Sequence, residues 1–373
     1  IASPTLVCLI AIEWPEHTQR QERLSIATKP SVTDANSDVK AIYSNIWTFA
    51  ALKGDGSIVA WGRNDNAPAS VTDTNSDVKA IDSNNEGFTV LKGDGSVVAW
   101  GSINNTAPSS VTDANSGVQA IFSSSASFAA VKGDGSVVTW GHQYANTTNA
   151  PASVTDANSD VKVIYSNEYS FAAVKGNGSV ITWGQIERNP PLLSANPDEQ
   201  TVYSTSTAFA ALKRDGSVIV WGVGDAARAP SSVTDENSGV QSITLLGEGF
   251  GALKDDGSVV VWGYNVFEPP LSVANAGSDV KAIYSNDRAF AAVKGDGSVV
   301  AWGPSYNGGD NAPVSVTTAN SDVKAISSTQ AAFAALKGDG SVVAWGNSAF
   351  AGDNHLVEEQ LKPAFARIES SIM

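Results

Sequence analysis

One stretch of 14 residues recurs along the chain and limits the folds that this sequence can adopt. Its first copy runs from Phe49 to Gly62 and reads FAALKGDGSIVAWG, two short apolar runs around Asp-Gly. Asp-Gly between apolar runs is the strongest short-range hairpin signal, because glycine takes the positive-φ position without strain. Eight copies occur, their lysines lie 38 to 43 residues apart, and Trp-Gly ends each one. A period of about 40 residues with one hairpin per unit is typical of a propeller or another repeat array.

Both faces of the hairpin strands are apolar, and this predicts how the units pack. Phe49 and Ala51 point to one side of the sheet, and Ala50 and Leu52 point to the other. A sheet with one face in water alternates apolar and polar residues, so these strands are expected to be buried on both faces, as in stacked blades. Replacing Phe49 or an equivalent phenylalanine by alanine is expected to cost about 3–5 kcal/mol.

The rest of each unit supplies further turns and strands. In the first unit, residues 32–38 are predicted to form a turn, since Asp, Asn and Ser side chains bond to their own backbone. Val39 to Ile42 is predicted to be a short strand, and three or four such strands per unit make one antiparallel blade. The predicted fold is therefore an all-β propeller of eight blades, with seven blades as the alternative.

The chain divides into three parts on this basis. Residues 1–31 form an irregular N-terminal segment, residues 32–346 form the eight-repeat propeller, and residues 347–373 form a C-terminal half-repeat. Residues 365–371 align with the first strand of a unit. This half-repeat could pair with the N-terminal strands and close the ring, or it could mark the point where a longer repeat array was cut.

Composition limits the classes of partner. The net charge is −15, which argues against nucleic-acid binding because that function needs a clustered Lys/Arg face, and which favours a basic partner. The single cysteine, Cys8, cannot form an intrachain disulfide, and no Cys/His spacing indicates zinc. No run of 18 apolar residues is present, so no membrane insertion is predicted.

Three motifs follow one another along the unit: Val-Lys-Ala-Ile, Phe-Ala-Ala-Leu-Lys and Asp-Gly-Ser-Val-Val-Ala-Trp-Gly. In these motifs each unit resembles the repeats of the regulator of chromosome condensation 1 (RCC1) superfamily. It looks most like the short form, which is also found in β-lactamase inhibitor protein II. The resemblance covers about residues 32–346 and implies a propeller, in this family usually of seven blades closed by the two termini. It implies binding activity only in general, because the inserted wedge and the basic tail of the namesake exchange factor are absent.

Several motifs invite a chemical interpretation. Three turns carry Asp-x-Asn-x-Asp spacing, which also begins an EF-hand calcium loop, but the later glycine and glutamate of such a loop are absent. The hairpin aspartate is Asn177 in the fourth unit, and the residue before it varies without evident constraint (Gly54, Arg214, Asp255). We interpret both motifs as turns and predict no metal and no cofactor. The three histidines share no spacing and no serine lies in Gly-x-Ser-x-Gly, so no enzymatic function is predicted.

The segments that differ between units are the candidate binding surface. They follow the first strand and the Trp-Gly pair, and in a propeller such segments emerge in rings on the faces of the disc. Aromatic residues on polar loops act as anchors in protein interfaces. The candidate partner-binding residues are Trp47, Tyr169, Tyr264, Phe267 and Tyr306. The alternative is that these segments differ through neutral variation in unconstrained loops and have no binding role.

The predicted function is therefore a non-enzymatic protein-binding or scaffold propeller that recognises an unidentified protein partner through one loop face. Two alternatives stay open: a structural component of an extracellular or surface assembly, for which self-association is expected, and a lectin-like carbohydrate binder. Sequons at Asn104, Asn146 and Asn177 permit a secreted setting, so an extracellular location is favoured while the compartment is left undetermined.

Overall fold

The computed structural model describes residues 37–63, 65–101, 106–143, 146–187 and 199–350. These residues form eight antiparallel sheets of three strands each, which confirms the all-β fold and the count of eight. The alternative of seven blades is therefore wrong. Each sheet, with the connection that leads to the next, is one blade. Residues 1–31, residues 351–373 and the closing strands predicted within them lie outside the described residues.

The strands follow the repeat along the chain. The first four blades contain β1 (Val39–Ser44), β2 (Thr48–Lys53), β3 (Ile58–Gly62), β4 (Val78–Ser83), β5 (Gly87–Lys92), β6 (Val97–Gly101), β7 (Val118–Ser123), β8 (Ser127–Lys132), β9 (Val137–Gly141), β10 (Val161–Ser166), β11 (Ser170–Lys175) and β12 (Val180–Gly184). The last four contain β13 (Glu199–Ser204), β14 (Ala208–Lys213), β15 (Val218–Gly222), β16 (Val240–Leu246), β17 (Gly249–Lys254), β18 (Val259–Gly263), β19 (Val280–Ser285), β20 (Phe290–Lys294), β21 (Val299–Trp302), β22 (Val323–Ser328), β23 (Ala332–Lys337) and β24 (Val342–Gly346).

The strand directions give each blade two different ends. Because the first and third strands run antiparallel to the second, the turn after the first strand and the loop after Trp-Gly leave from the same end. We call this the loop end, and we call the opposite end, which carries the Asp-Gly turn, the hairpin end. In the first blade the Arg63 N–H donates to the Trp47 carbonyl oxygen at 3.0 Å, which ties the two loop-end segments together.

The Asp-Gly turns adopt the predicted geometry. Gly95 has φ of 79°, the left-handed value that the turn needs. The Asp94 carboxylate accepts the Ser96 N–H at 2.9 Å and the Ser96 hydroxyl at 2.6 Å, and these hydrogen bonds hold the pKa of Asp94 below its usual range. Asn177 accepts the same two hydrogen bonds from Ser179 at 3.0 and 2.7 Å. The position therefore serves turn geometry rather than charge.

The residue before the hairpin aspartate is more constrained than the sequence suggests. A Cβ atom added at Gly93 would collide with the carboxylate of Asp77, which is paired with Lys79. In the sixth blade the arrangement is reversed, since Gly239 takes the place of Asp77 and Asp255 takes that of Gly93. In the second and sixth blades the two positions therefore share one space, and a large side chain at one of them is matched by glycine at the other.

A one-turn helix in the connections was not expected from the sequence. These helices are Ala69–Thr72, Ser109–Thr112, Ala152–Thr155, Ser231–Thr234, Leu271–Ala274 and Val314–Thr317. In the first of them Pro68 precedes the helix with φ of −74°, and Val71 is fully buried against the second blade. The predicted turn follows, where Asn75 donates its N–H to the Asp55 carbonyl oxygen at 3.1 Å and docks on the preceding hairpin turn.

Seven hydrophobic clusters connect the eight blades, one at each junction between consecutive blades. At the first junction Ala50 and Ile58 of the first blade pack against Ile81, Phe88 and Trp100 of the second. We call the face that packs on the following blade the back face, and the face that receives the preceding blade the front face. The clusters confirm that the strands of the second to the seventh blade are buried on both faces.

The first blade departs from this pattern. Its front-face residues Phe49 and Ile42 are 37% and 46% exposed, whereas their equivalents in the other seven blades are at most 1% and 9% exposed. Trp61 remains buried, so the opening is confined to the part of the face around Ile42 and Phe49. The expectation that Phe49 is a fully buried core residue is therefore wrong, because no described blade lies in front of it.

Candidate functional site: the loop end of the blades

All five candidate aromatic residues lie at the loop end. Trp47 and Tyr169 are in turns between the first and second strands of their blades. Tyr264, Phe267 and Tyr306 are in loops that follow Trp-Gly. Because both kinds of segment leave the blade at one end, the structure places the five residues on the same side of the repeat array.

The five residues are not equally available. Tyr264, Phe267 and Tyr306 are exposed and belong to the sixth and seventh blades, which are consecutive. We call these three the aromatic group. Trp47 is also exposed, but it belongs to the first blade and the Arg63 guanidinium lies over its ring at 5.1 Å. Tyr169 is half-buried in the fourth blade.

The loops that carry the aromatic group are fixed by the Trp-Gly tryptophans. The Trp302 indole N–H donates to the Phe267 carbonyl oxygen at 3.0 Å, from the blade that follows. The Trp345 indole N–H donates to the Gly308 carbonyl oxygen at 2.9 Å in the same way. Each tryptophan therefore holds the loop of the preceding blade. Sequence reasoning missed this role, because the acceptor is a backbone atom that leaves no residue signature.

Further hydrogen bonds order the loop around Tyr306. Residues Ser305–Asn307 form a short 3-10 helix. The Asn286 side chain donates to the Asn307 carbonyl oxygen at 2.7 Å, and the Asn307 side chain donates to the Gln330 carbonyl oxygen at 3.3 Å. The loop is thus tied to the following blade through Gln330, so that Tyr306 projects from an ordered backbone.

Two exposed aliphatic residues add to the loop end. Ile46 lies beside Trp47 in the first blade, and Leu245 lies at the end of β16 in the sixth blade. Sequence reasoning noted the variable segments that contain them but selected only aromatic residues. Leu245 extends the apolar character of the sixth blade, which already carries Tyr264 and Phe267.

The two ends of the blades differ in charge. Every lysine among the described residues lies at the hairpin end, as the second residue of a first strand or the last residue of a second strand. The loop-end segments carry acidic residues and a few arginines. The acidic residues are Asp65, Asp82, Glu86, Glu168, Glu187, Asp225, Glu248, Glu268, Asp287 and Asp310, and the basic ones are Arg63, Arg228 and Arg288. The loop end is therefore acidic, whereas Asp and Lys pair at the hairpin end.

One acidic residue of the loop end has a structural role. The Asp82 carboxylate accepts the Ser83 N–H at 2.8 Å and the hydroxyl of Ser123, in the next blade, at 2.9 Å. Burial raises the pKa of Asp82 above its usual range, and the two hydrogen bonds oppose that shift only in part. Asp82 thus links the second and third blades.

A polar cavity of about 310 Å³ lies among the turns of the first four blades. Its lining consists of Ser, Asn and Glu residues without an aromatic side chain. Several of the lining groups already bond across blades: the Ser83 hydroxyl donates to the Ser44 carbonyl oxygen at 3.0 Å, and the Asn85 N–H donates to the Ser125 carbonyl oxygen at 3.0 Å. The cavity therefore lacks the aromatic platform of a carbohydrate site.

The Asp-x-Asn-x-Asp spacing of the second blade lies in a hydrogen-bonded turn. In the second blade the last carboxylate of the motif, Asp77, pairs with Lys79, and the Ser76 hydroxyl donates to the Asp73 carbonyl oxygen within the turn. Residues 37–63, 65–101, 106–143, 146–187 and 199–350 contain no group of three or more His, Cys, Asp or Glu side chains that could hold a metal ion. Every helix in these ranges is also too short to cross a bilayer.

Comparisons with known proteins give structural matches alone. A scan against protein families finds no match, and a search of curated proteins also finds none. Among solved structures, the chain is similar to the CRINKLY WD40 ectodomain of the Arabidopsis thaliana receptor kinase ACR4, at 15% identity and a TM-score of 0.39, covering 61% of this chain and 80% of that one. It is also similar to Prp20p of Saccharomyces cerevisiae, at 14% identity and a TM-score of 0.38, covering 76% of both chains.

A third similar structure is the computationally designed protein Ika8, at 15% identity and a TM-score of 0.35, covering 83% of this chain and 96% of that one. The likeness to β-lactamase inhibitor protein II stays a prediction. The described residues form eight three-stranded antiparallel blades in a repeat array, and the repeat sequence resembles that of the RCC1 superfamily.

Proposed function

We propose that this chain is a non-enzymatic protein-binding module that recognises a basic surface of a partner protein through the loop end of its blades. The observation that carries the proposal is the aromatic group, three exposed aromatic side chains on loops whose backbones are fixed by the following blade. Fixed loops lose little conformational freedom on binding, so contacts by Tyr264, Phe267 and Tyr306 are not offset by an ordering cost.

The charge of the loop end supports the choice of partner. Acidic residues flank the aromatic group on the same blades, among them Glu248, Glu268 and Asp310. Complementary charge steers a basic partner to such a surface and weakens as salt screens it. Buried aromatic anchors supply most of the affinity in protein interfaces, whereas the charged rim supplies rate and specificity.

The experiment uses a displayed library of random peptides, so that the chain itself selects the chemistry of the sequences that it binds. The immobilised chain is expected to enrich peptides rich in Lys and Arg, and their affinity is expected to fall with added salt. The variant Tyr264→Ser/Phe267→Ser/Tyr306→Ser is expected to lose that enrichment. An anchor contributes about 2 kcal/mol, which corresponds to about a thirtyfold change in affinity for each substitution.

The matched control is Leu271→Ser/Val314→Ser, which removes two exposed aliphatic residues from the first positions of connecting helices. This control is expected to enrich the same peptides as the unmodified chain. The proposal fails if no basic peptides are enriched, or if the triple variant and the control bind them equally well.

The two alternatives stay predictions. A structural assembly would need apolar surface between copies, and the exposed front face of the first blade meets that need. A lectin would need the same polar and aromatic pocket in several blades, whereas the exposed aromatic residues here occupy different positions in different blades.

A further inference from the structure

The seven junctions between blades repeat one interface. At each junction the back face of one blade offers small and branched residues, and the front face of the next offers the stacked Phe-Trp pair. At the last junction, for example, Ala291 and Val299 of the seventh blade pack with Ile326, Phe333 and Trp345 of the eighth. The interface is directional, because its two sides use different residues.

A backbone hydrogen bond fixes the register of this interface. At the six junctions where a valine begins the next blade, the carbonyl oxygen of the hairpin glycine accepts the N–H of that valine. The distances are 3.1 Å for Gly135 and Val161, 3.0 Å for Gly216 and Val240, and 3.1 Å for Gly297 and Val323. The acceptor always belongs to the back face and the donor always belongs to the front face.

The first blade leaves its front face partly open. Ile42 and Phe49 are exposed there. Val39 is half-buried, whereas the equivalent valines of the second, third and fourth blades are buried. Val39 is also the residue whose counterparts donate the register hydrogen bond in later blades. The front face of the first blade thus has the composition of a junction without a described blade packed on it.

The eighth blade leaves its back face open. Ala334 is half-buried, whereas the alanines at this position in the first, third, fourth, fifth and seventh blades are completely buried. Ser341 is exposed, although its counterparts Ser57 and Ser298 are buried. A Cβ atom added at Gly340 would meet nothing within 4 Å, whereas one added at Gly56 would meet the backbone of the next blade.

We infer that two copies of this chain associate head to tail, with the back face of the eighth blade of one copy packed on the front face of the first blade of another. The partner is chosen by continuity, because the two open faces are the two halves of an interface that the chain forms seven times. Both faces are open at once, so the described strands of the first and eighth blades do not pack on each other. In the assembly the Gly340 carbonyl oxygen accepts the Val39 N–H of the next copy.

The directional interface determines the form of the assembly. A contact between two different surfaces leaves one unused copy of each surface at the ends of a dimer. Further copies add at either end, so the assembly either grows as a linear head-to-tail chain or closes into a ring of several copies. The loop end does not take part, so this inference is independent of the proposed function.

The experiment compares two variants that each block one face. Ile42→Asp blocks the front face, and Ala334→Glu blocks the back face, because an unpaired charge buried in an apolar junction is costly. Sedimentation velocity and light scattering over a range of concentrations give the mass of each protein. Val314→Asp is the control, since Val314 is exposed in a connecting helix away from both open faces.

The unmodified chain and the control are expected to gain mass with concentration beyond that of a dimer. Each blocked variant alone is expected to remain a monomer with an unchanged circular dichroism spectrum. An equimolar mixture of the two variants is expected to form a dimer and nothing larger, since one intact face of each kind remains. The inference is overturned if the unmodified chain stays monomeric at every concentration, if both variants still form large oligomers, or if the mixture fails to dimerise.

Discussion

The partly open front face of the first blade makes a quantitative prediction about two equivalent phenylalanines. Phe49 and Phe209 stack on their tryptophans with the same centroid separation of 5.4 Å and with interplanar angles of 16° and 15°. They differ in burial, because Phe49 is 37% exposed and Phe209 is completely buried. The same substitution at the two sites therefore isolates the effect of the covering blade.

The magnitude follows from that difference. Replacing a fully buried phenylalanine by alanine costs about 3–5 kcal/mol, which is the expectation for Phe209→Ala. Scaling that range by the buried share of Phe49 gives about 2–3 kcal/mol for Phe49→Ala. The two variants should then differ by about 1–2 kcal/mol in the free energy of unfolding.

The assay is urea denaturation followed by circular dichroism and by tryptophan fluorescence, at concentrations where sedimentation shows a monomer. Repeat arrays can unfold in stages, so coincidence of the two signals is the condition for comparing the free energies. If Phe49→Ala costs as much as Phe209→Ala under these conditions, the front face of the first blade is covered in the monomer. The first blade would then have no open front face.

Three further changes test other parts of the structure. Burial raises the pKa of Asp82, so its contribution to stability is present in acid and lost as the pH rises through the folded pKa. At pH 7, Asp82→Asn should therefore have a higher free energy of unfolding than the unmodified chain, and below about pH 4 the difference should disappear. Urea denaturation at both pH values measures the two free energies. Gly93→Asp should lower the melting temperature, and adding Asp77→Gly should restore it, since the pair shares one space. Trp345→Phe should cost at least about 1 kcal/mol, because the hydrogen bond to the Gly308 carbonyl is lost and the buried indole is replaced by a smaller ring, and it should speed amide exchange in residues 305–310.

Much of the fold could be predicted from the sequence because its signals are local. Asp-Gly between apolar runs specifies the hairpin, and the two-sided apolar pattern of Phe49 to Leu52 specifies blades that are covered on both faces. The one-turn helix at Ala69–Thr72 was not foreseen, because its residues also suit a turn and only the burial of Val71 favours the helix.

The candidate site could be predicted only in part. The variable segments and their aromatic residues are visible in the sequence, and the structure places all five at the loop end. Which of them are neighbours depends on blade order, which groups Tyr264, Phe267 and Tyr306 but leaves Trp47 and Tyr169 elsewhere. The exposure of Phe49 could not be read from its repeat, because every copy has the same local sequence and only its place in the array differs.

The one-way junction between blades has a consequence for how such chains change length during evolution. A duplicated unit has a front face that fits the back face of the unit before it, and a back face that fits the front face of the unit after it. Insertion or loss of a whole unit therefore leaves every junction with the same two kinds of face. The indole N–H of Trp302 and that of Trp345 each donate to a backbone carbonyl oxygen of the neighbouring loop, so the side chains of that loop can diversify without loss of this hydrogen bond. Repeat number and surface chemistry can therefore be inherited as separate traits.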